Sequence, residues 1–221
     1  MKTVLITGTS RGLGLCLAQC FLQNNYRVIG LARSESAIDD INYRHYQVDL
    51  GQSDRVQEII RQVDNLDIII NNAAVYTRKN FVLMCQEDIA EILKTNLVDT
   101  VINTKIFLGK LSDRGKIVFI NSVAGLNDIA QESVYCASKQ GLKGFANVLA
   151  QELKATGKKV ISIYPGGINT SLWSETNPYP GQDLEQTLDP VWLAEYIFCC
   201  CHLPKNVEIK NITVFPETEY H

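Results

Sequence analysis

The chain lacks any apolar run approaching the ~20 residues a helix needs to span a bilayer, so a membrane-spanning role is not expected. It also lacks a long block of like charge. With a net charge of −3, general nucleic-acid binding is not expected either. Its seven cysteines lack metal-site spacing, because no Cys-x-x-Cys pairs with a second one or with histidines. No metal is therefore expected, and the thiols read as small buried hydrophobes in a reducing cytoplasm. Cys136 stands apart because it adjoins Tyr135. No secretory leader is expected, since the first apolar run, Val4-Leu5-Ile6, has only strand length and gives way at once to a glycine-rich turn. Repeats, low-complexity tracts and inter-domain linkers are absent as well. What remains is a 221-residue chain, 46% hydrophobic and 20% charged, which suits one globular domain over 1–221.

The order of elements gives the fold class. Lys2 to Thr7 reads as a short strand, Gly8 to Gly14 as a glycine-rich turn, and Leu15 to Asn24 as a helix with Leu15, Ala18 and Leu22 on its apolar face. Strand, glycine turn and helix in that order make the phosphate-binding half of a dinucleotide fold. Gly8 would turn the chain, Gly12 would admit a pyrophosphate, and Gly14 would allow close helix–strand packing. Ser10, Arg11 and Leu13 lie within the same turn. Further strands are expected at Arg27–Ala32, Tyr43–Val48, Asp67–Ile70, Ile117–Ile120, Lys159–Tyr164 and Val207–Phe215. Helices are expected from Ser53 (capped by Ser53-Asp54, with Val56, Ile59, Ile60 and Val63 inward), over Glu87–Leu108, over about Tyr135–Thr156, and from Asp189-Pro190 to about Cys201. The two longest of these patterns place Leu142, Phe145, Val148, Leu149 and Leu153 inward on the helix over about 135–156, and Ile89, Ile92, Leu93, Leu97, Val101 and Ile102 on the apolar side of the one over 87–108. The sum is an α/β, Rossmann-type doubly wound parallel sheet of about seven strands with helices on both faces.

Ligands of such sheets lie beyond the carboxyl ends of the strands. Arg33 ends the second strand where a dinucleotide fold selects its cofactor. An arginine there can pair with the 2′-phosphate of NADP, and Arg11 adds a second cation. The competing assignment leaves both arginines solvated and gives the ribose to Glu35. Asp49 and Leu50 follow the third strand, with Asp49 placed for an adenine edge. The small residues of Asn71-Asn72-Ala73-Ala74 after the fourth strand would let adenosine lie against backbone. Pro165-Gly166-Gly167-Ile168-Asn169-Thr170, after the sixth, can line a nicotinamide pocket.

A chemical pair sits beside these loops. Tyr135 and Lys139 share a helix face one turn apart, and an ammonium beside a phenol favours phenolate and lowers its pKa. Ser122, at the end of the preceding strand, can hydrogen-bond the same substrate oxygen. Asn96 is an awkward residue for a helix interior, which suggests a local kink with a water leading toward Lys139. Taken alone, a Tyr-x-x-x-Lys pair is weak evidence, because chance readily supplies one.

The combination of Thr7–Gly14, Asp49, Asn71-Asn72-Ala73, Asn96, Ser122, Tyr135-x-x-x-Lys139 and Pro165-Gly166 with Thr170 resembles the short-chain dehydrogenase/reductase family, in its compact single-domain branch. The resemblance implies NADP(H) as cofactor and a carbonyl or secondary alcohol as small-molecule substrate. It gives Tyr135 the role of general acid/base. Lys139 would hold the nicotinamide ribose, Ser122 would orient the carbonyl, and Asn96 would anchor a relay water. The backbone near Ile168 and the Thr170 hydroxyl would hold the carboxamide. A homodimer or homotetramer through the long helices is expected. The departure of Ala74 from the usual glycine costs little. Residues 171–188 make a short substrate-side loop, and Val75, Tyr76, Leu126, Ile129, Tyr164, Leu172 and Trp173 are the expected apolar lining. Reduction of a 3-oxoacyl thioester or of a secondary-metabolite ketone both fit. So do, less directly, an epimerase or dehydratase with tightly held cofactor, and a catalytically silent NADP(H)-binding regulator or scaffold.

Overall fold

A computed structural model describes residues 1–170, 173, 184–204 and 207–217. Seven strands form one sheet: β1 (Thr3–Thr7), β2 (Arg27–Ala32), β3 (Tyr43–Gln47), β4 (Leu66–Asn71), β5 (Leu111–Ile120), β6 (Lys159–Pro165) and β7 (Asn211–Val214). All pairings are parallel, in the order β3-β2-β1-β4-β5-β6-β7. The strand order reverses between β1 and β4, which opens a crevice at their carboxyl ends.

Both faces of the sheet are covered, which is why the central strands are apolar throughout. On one face, α1 (Gly12–Gln23) and α6 (Pro190–Cys200) bury Leu17, Phe21, Leu193 and Ile197 against Val4 and Ile6. On the other, α2 (Ser53–Arg61), α4 (Thr100–Leu108) and α5 (Ser133–Glu152) bury Val56, Ile59, Phe107, Leu142 and Leu149 against Leu5 and Ile69. Alternate residues of β1 thus feed two separate cores, the period-2 consequence of a pleated strand. α6 starts as expected: Asp189 accepts a hydrogen bond from the Val191 N–H at 2.9 Å, and Pro190 takes the first helical position.

Several expectations need correction. α1 begins at Gly12 rather than Leu15, because the turn itself winds into the helix. Its buried face is consequently Leu13, Leu17, Ala18 and Phe21, while Leu15 and Leu22 are only half-buried. Ser53-Asp54 is not a cap, since Ser53 is already helical and Gln52 precedes it without a side-chain bond. The last strand shortens to Asn211–Val214. Val148 and Ile102 lie on the surface, and Cys85 and Cys199 are exposed rather than buried.

The expected long helix over 87–108 is three pieces: α3 (Gln86–Leu93), a π-turn over Lys94–Asp99, and α4. The kink expected at Asn96 is this π-turn. The inward face here is not the predicted apolar stripe, for it carries Ile92 and Phe107 but also Asn96, Asp99, Thr100, Asn103 and Thr104. Some of these polar groups tie down segments at the carboxyl edge of the sheet. The Asn103 amide donates to the Leu50 carbonyl at 2.9 Å, and the Asn71 amide donates to the Thr104 hydroxyl at 3.2 Å. A π-bulge of this kind often accompanies a functional site.

Candidate active site

A cavity of about 940 Å³ runs along the carboxyl ends of the strands. Its floor is built from the glycine turn. Gly8 has a positive φ of 77°, and its N–H donates to the Leu31 carbonyl at 2.7 Å. A methyl group on Gly14 would lie 2.1 Å from the Gly8 carbonyl oxygen, so only glycine permits this approach of helix to strand. The Thr7 hydroxyl accepts from the N–H groups of Asn72 and Ala73 at 2.9 and 3.0 Å, and the Asn72 amide donates to the Thr7 carbonyl at 2.9 Å. These bonds lock the ends of β1 and β4 together. α1 has no side-chain cap and no acid in its first turn, which leaves its first N–H groups to an anion. Backbone this open, facing a helix terminus, fits a dinucleotide pyrophosphate.

Gly8, Ser10, Arg11, Gly12, Leu13, Gly14, Arg33, Asp49, Leu50, Asn72, Ala73, Ala74, Pro165, Gly166, Ile168 and Thr170 all line this cavity. Ser122, Tyr135 and Lys139 line it too. Arg33 is exposed there and sits 3.7 Å from the Glu91 carboxylate, whereas Glu35 is not among the lining residues. Asn96 is not on the wall either. It is 1% exposed and grips Val75 from behind, its Oδ1 accepting from the Val75 N–H and its Nδ2 donating to the Val75 carbonyl, both at 2.8 Å. The same amide donates to the Ser138 hydroxyl at 3.3 Å, tying the π-turn to α5.

Asn121, not singled out in the sequence, organises the chemistry. Its Oδ1 accepts from the Ser122 N–H at 2.9 Å and its Nδ2 donates to the Lys139 carbonyl at 3.2 Å. Strand end and helix are thereby joined, and Ser122 and Tyr135 face the same cavity. The Lys139 ammonium donates to the Ile120 carbonyl at 3.1 Å and lies 5.6 Å from the centre of the Tyr135 ring. Burial raises the Tyr135 pKa; the neighbouring Ser122 hydroxyl opposes this, while Glu132 and Cys136 add to it. Burial also lowers Lys139 to about 8. The expectation that the ammonium drags the phenol down is not met here. Both groups are desolvated, and the lysine directs its proton to a carbonyl. Burial likewise raises the Cys136 thiol, which keeps it out of the reactive thiolate form.

The other end of the cavity differs from the apolar lining expected. Val75, Tyr76, Ile129 and Trp173 are present, but Arg78 and Glu132 join them. Tyr164 belongs to the core at 1% exposure, Leu126 is 40% exposed and borders a different groove, and Leu172 lies outside the described residues, as does most of the 171–188 loop. The Tyr76 ring stands perpendicular to that of Tyr135 at 4.8 Å and to that of Trp173 at 5.1 Å. Its hydroxyl donates to Glu132 at 2.7 Å, and the Arg78 Nε lies 3.9 Å from the same oxygen. Glu132, three residues before Tyr135 at the start of a helix, was the available signal for this cluster.

Among the described residues, no group of three or more potential metal ligands occurs and no helix is long and apolar enough to cross a membrane. Comparison with known proteins adds the following. The family described as short chain dehydrogenase matches residues 2–180. The chain is 31% identical over 189 residues to a 3-oxoacyl-acyl-carrier-protein reductase of Vibrio cholerae, covering 80% of this chain and 77% of that one. It is 31% identical over 183 residues to a ketoacyl reductase of Nostoc sp., covering 76% of this chain but only 64% of the relative. The closed form of a serine dehydrogenase complexed with NADP+ superposes with a TM-score of 0.88 at 26% identity, covering 99% of this chain and 96% of that one.

Proposed function

The chain belongs to the short-chain dehydrogenase family of oxidoreductases, and from that premise we propose that it interconverts a carbonyl and a secondary alcohol with NADP(H). The observation that carries this reading is the convergence of the Tyr135 phenol, the Ser122 hydroxyl and the Lys139 ammonium on the cavity that the glycine turn floors. A nicotinamide bound along that cavity supplies or accepts the hydride. Tyr135 gives a proton to the substrate oxygen, or removes one, at its phenolic oxygen. Ser122 orients that oxygen, and its neighbouring hydroxyl favours the phenolate. Lys139 holds the nicotinamide ribose. Gly12 and Leu13 would receive the pyrophosphate, Asp49 and Leu50 the adenine, and Pro165 to Thr170 the carboxamide, while Asn72 to Ala74 would let the adenosine lie against their backbone. Asn96 holds the Val75 segment in place, and any relay water it anchors lies behind the cavity wall.

The choice of NADP(H) over NAD(H) is supported by Arg11 and Arg33 on the wall where Glu35 is not, and by the NADP+ carried by the similar serine dehydrogenase. The charged substrate end favours a polar carbonyl compound over a plain hydrophobic ketone. Self-association is part of the same proposal: Val98 and Ile102 on the π-turn and α4, with Val148 on α5, present exposed apolar side chains on the helices expected to pair. Light scattering should give a dimer or tetramer, and a monomer would contradict it. Cytoplasmic residence suits seven free thiols.

The direct test is NADPH oxidation against a carbonyl panel that includes a 3-oxoacyl thioester and hydroxylated ketones, with NADH in parallel. Consumption of NADPH with at least one class, and much slower consumption of NADH, is expected. No turnover with any carbonyl, alongside tight NADPH binding, would favour the silent cofactor-binding protein.

A further inference from the structure

Tyr76 follows Val75, whose backbone N–H and carbonyl are both held by the Asn96 side chain at 2.8 Å. Its hydroxyl is fixed at the far end by Glu132 at 2.7 Å. Glu132 is 5% exposed and immediately precedes α5, and its carbonyl accepts the Cys136 N–H at 2.7 Å. Between these anchors the Tyr76 ring meets the Tyr135 ring edge-on at 4.8 Å, in the geometry aromatic pairs prefer. A ring held at both ends restricts the ring packed against it. The carboxylate that holds it also belongs to the residue that immediately precedes the helix carrying Tyr135.

Resting on the reading of Tyr135 as the acid, we propose that Tyr76 is a positioning residue, holding the Tyr135 phenol against Ser122 through ring contact and through the Tyr76–Glu132 hydrogen bond. The π-turn, the loop after β4 and the start of α5 then form one unit. Tyr76, from the loop after β4, touches the acid, so the phenol's position depends on a segment distant from it in sequence.

The hydrogen bond can be separated from the ion pair. Glu132→Gln keeps an oxygen that accepts from Tyr76 while removing the charge facing Arg78. Glu132→Leu removes both, and Tyr76→Phe keeps the ring while deleting the hydroxyl. Tyr76→Phe and Glu132→Leu should each lower kcat about tenfold, with the NADPH Kd within about twofold of wild type. Glu132→Gln should recover most of the kcat that Glu132→Leu loses, and the double variant Tyr76→Phe/Glu132→Leu should be no slower than either single one, because both break the same contact.

A second readout does not depend on turnover. In protein labelled with 3-fluorotyrosine, the Tyr135 fluorine resonance is assigned by its loss in Tyr135→Phe. It should move in Tyr76→Phe and in Glu132→Leu and stay in place in Glu132→Gln. An unmoved resonance in Tyr76→Phe overturns the proposal, as do single effects that multiply in the double variant or a loss carried wholly by KM. A wild-type rate in Tyr135→Phe would instead remove the acid assignment, leaving the resonance to decide the packing claim by itself.

Discussion

The two ends of the cavity are built from different materials. The proposed cofactor end is floored by main chain: a left-handed Gly8, a Gly14 pressed on the Gly8 carbonyl, and β1 and β4 laced by Thr7 and Asn72. The proposed substrate end is side chain: Tyr76, Trp173, Arg78 and Glu132, drawn from the loops after β4 and β6 and from just before α5. A ligand common to many enzymes is met by backbone, which every sequence of this fold can present. A ligand that differs between enzymes is met by side chains, which can change without disturbing the sheet. The similar proteins fit this division, since a 3-oxoacyl reductase and a serine dehydrogenase share the fold while their names point to different substrates.

If the division is right, one added methyl group at the cofactor end should do more damage than the loss of a polar atom at the other. Gly14→Ala places a carbon 2.1 Å from a carbonyl oxygen that cannot swing away. It should destabilise by about 3 kcal/mol or more in urea unfolding and abolish NADPH binding. Normal NADPH affinity in this variant would break the comparison.

Lys139, where the two ends meet, gives the next largest effect. Its folded-state pKa of about 8 lies below the unfolded value of 10.5, so the unfolded chain holds the proton more tightly. Burying the ammonium therefore costs stability fully below pH 8, and the cost is relieved as pH rises from 8 to 10.5. Lys139→Met should stabilise the cofactor-free protein at pH 7 by roughly 2 kcal/mol, with the gain shrinking toward pH 10. A gain independent of pH would show that packing, not charge, was at issue.

Arg11→Ala combined with Arg33→Ala should weaken NADPH by about tenfold or more while leaving NADH nearly unchanged, as titration by cofactor fluorescence can show. Equal loss for both would remove the 2′-phosphate assignment. The smallest effect should come from Trp173→Phe, which keeps the ring facing Tyr76 but removes the indole N–H donated to the Ile168 carbonyl at 2.8 Å. About 1 kcal/mol, or roughly fivefold in NADPH affinity, is expected from releasing that loop.

The same division explains what could be read from the sequence. The glycine turn, the strand ends and the Tyr135/Lys139 spacing are local patterns, so their positions around one cavity followed from fold topology. Tyr76 meeting Glu132 is a contact across 56 residues that no period announces. The polar inner face of the π-turn and α4 was missed for a related reason. Asn96 and Asn103 bind loop backbone and Thr104 accepts from Asn71 at the end of β4, and a reading based on apolar periodicity assigns such residues to solvent. Arg78 and Glu132 were missed at the substrate end because charged residues in loops are ordinarily surface residues.

The central claim is that Tyr135 is the proton donor in a cavity that binds NADPH independently of it. Steady-state turnover of Tyr135→Phe, measured together with its NADPH dissociation constant, tests this most directly. A fall in kcat of about 10²–10⁴-fold with the dissociation constant within about twofold is predicted. A wild-type rate, or a rate that falls only because NADPH no longer binds, would contradict it.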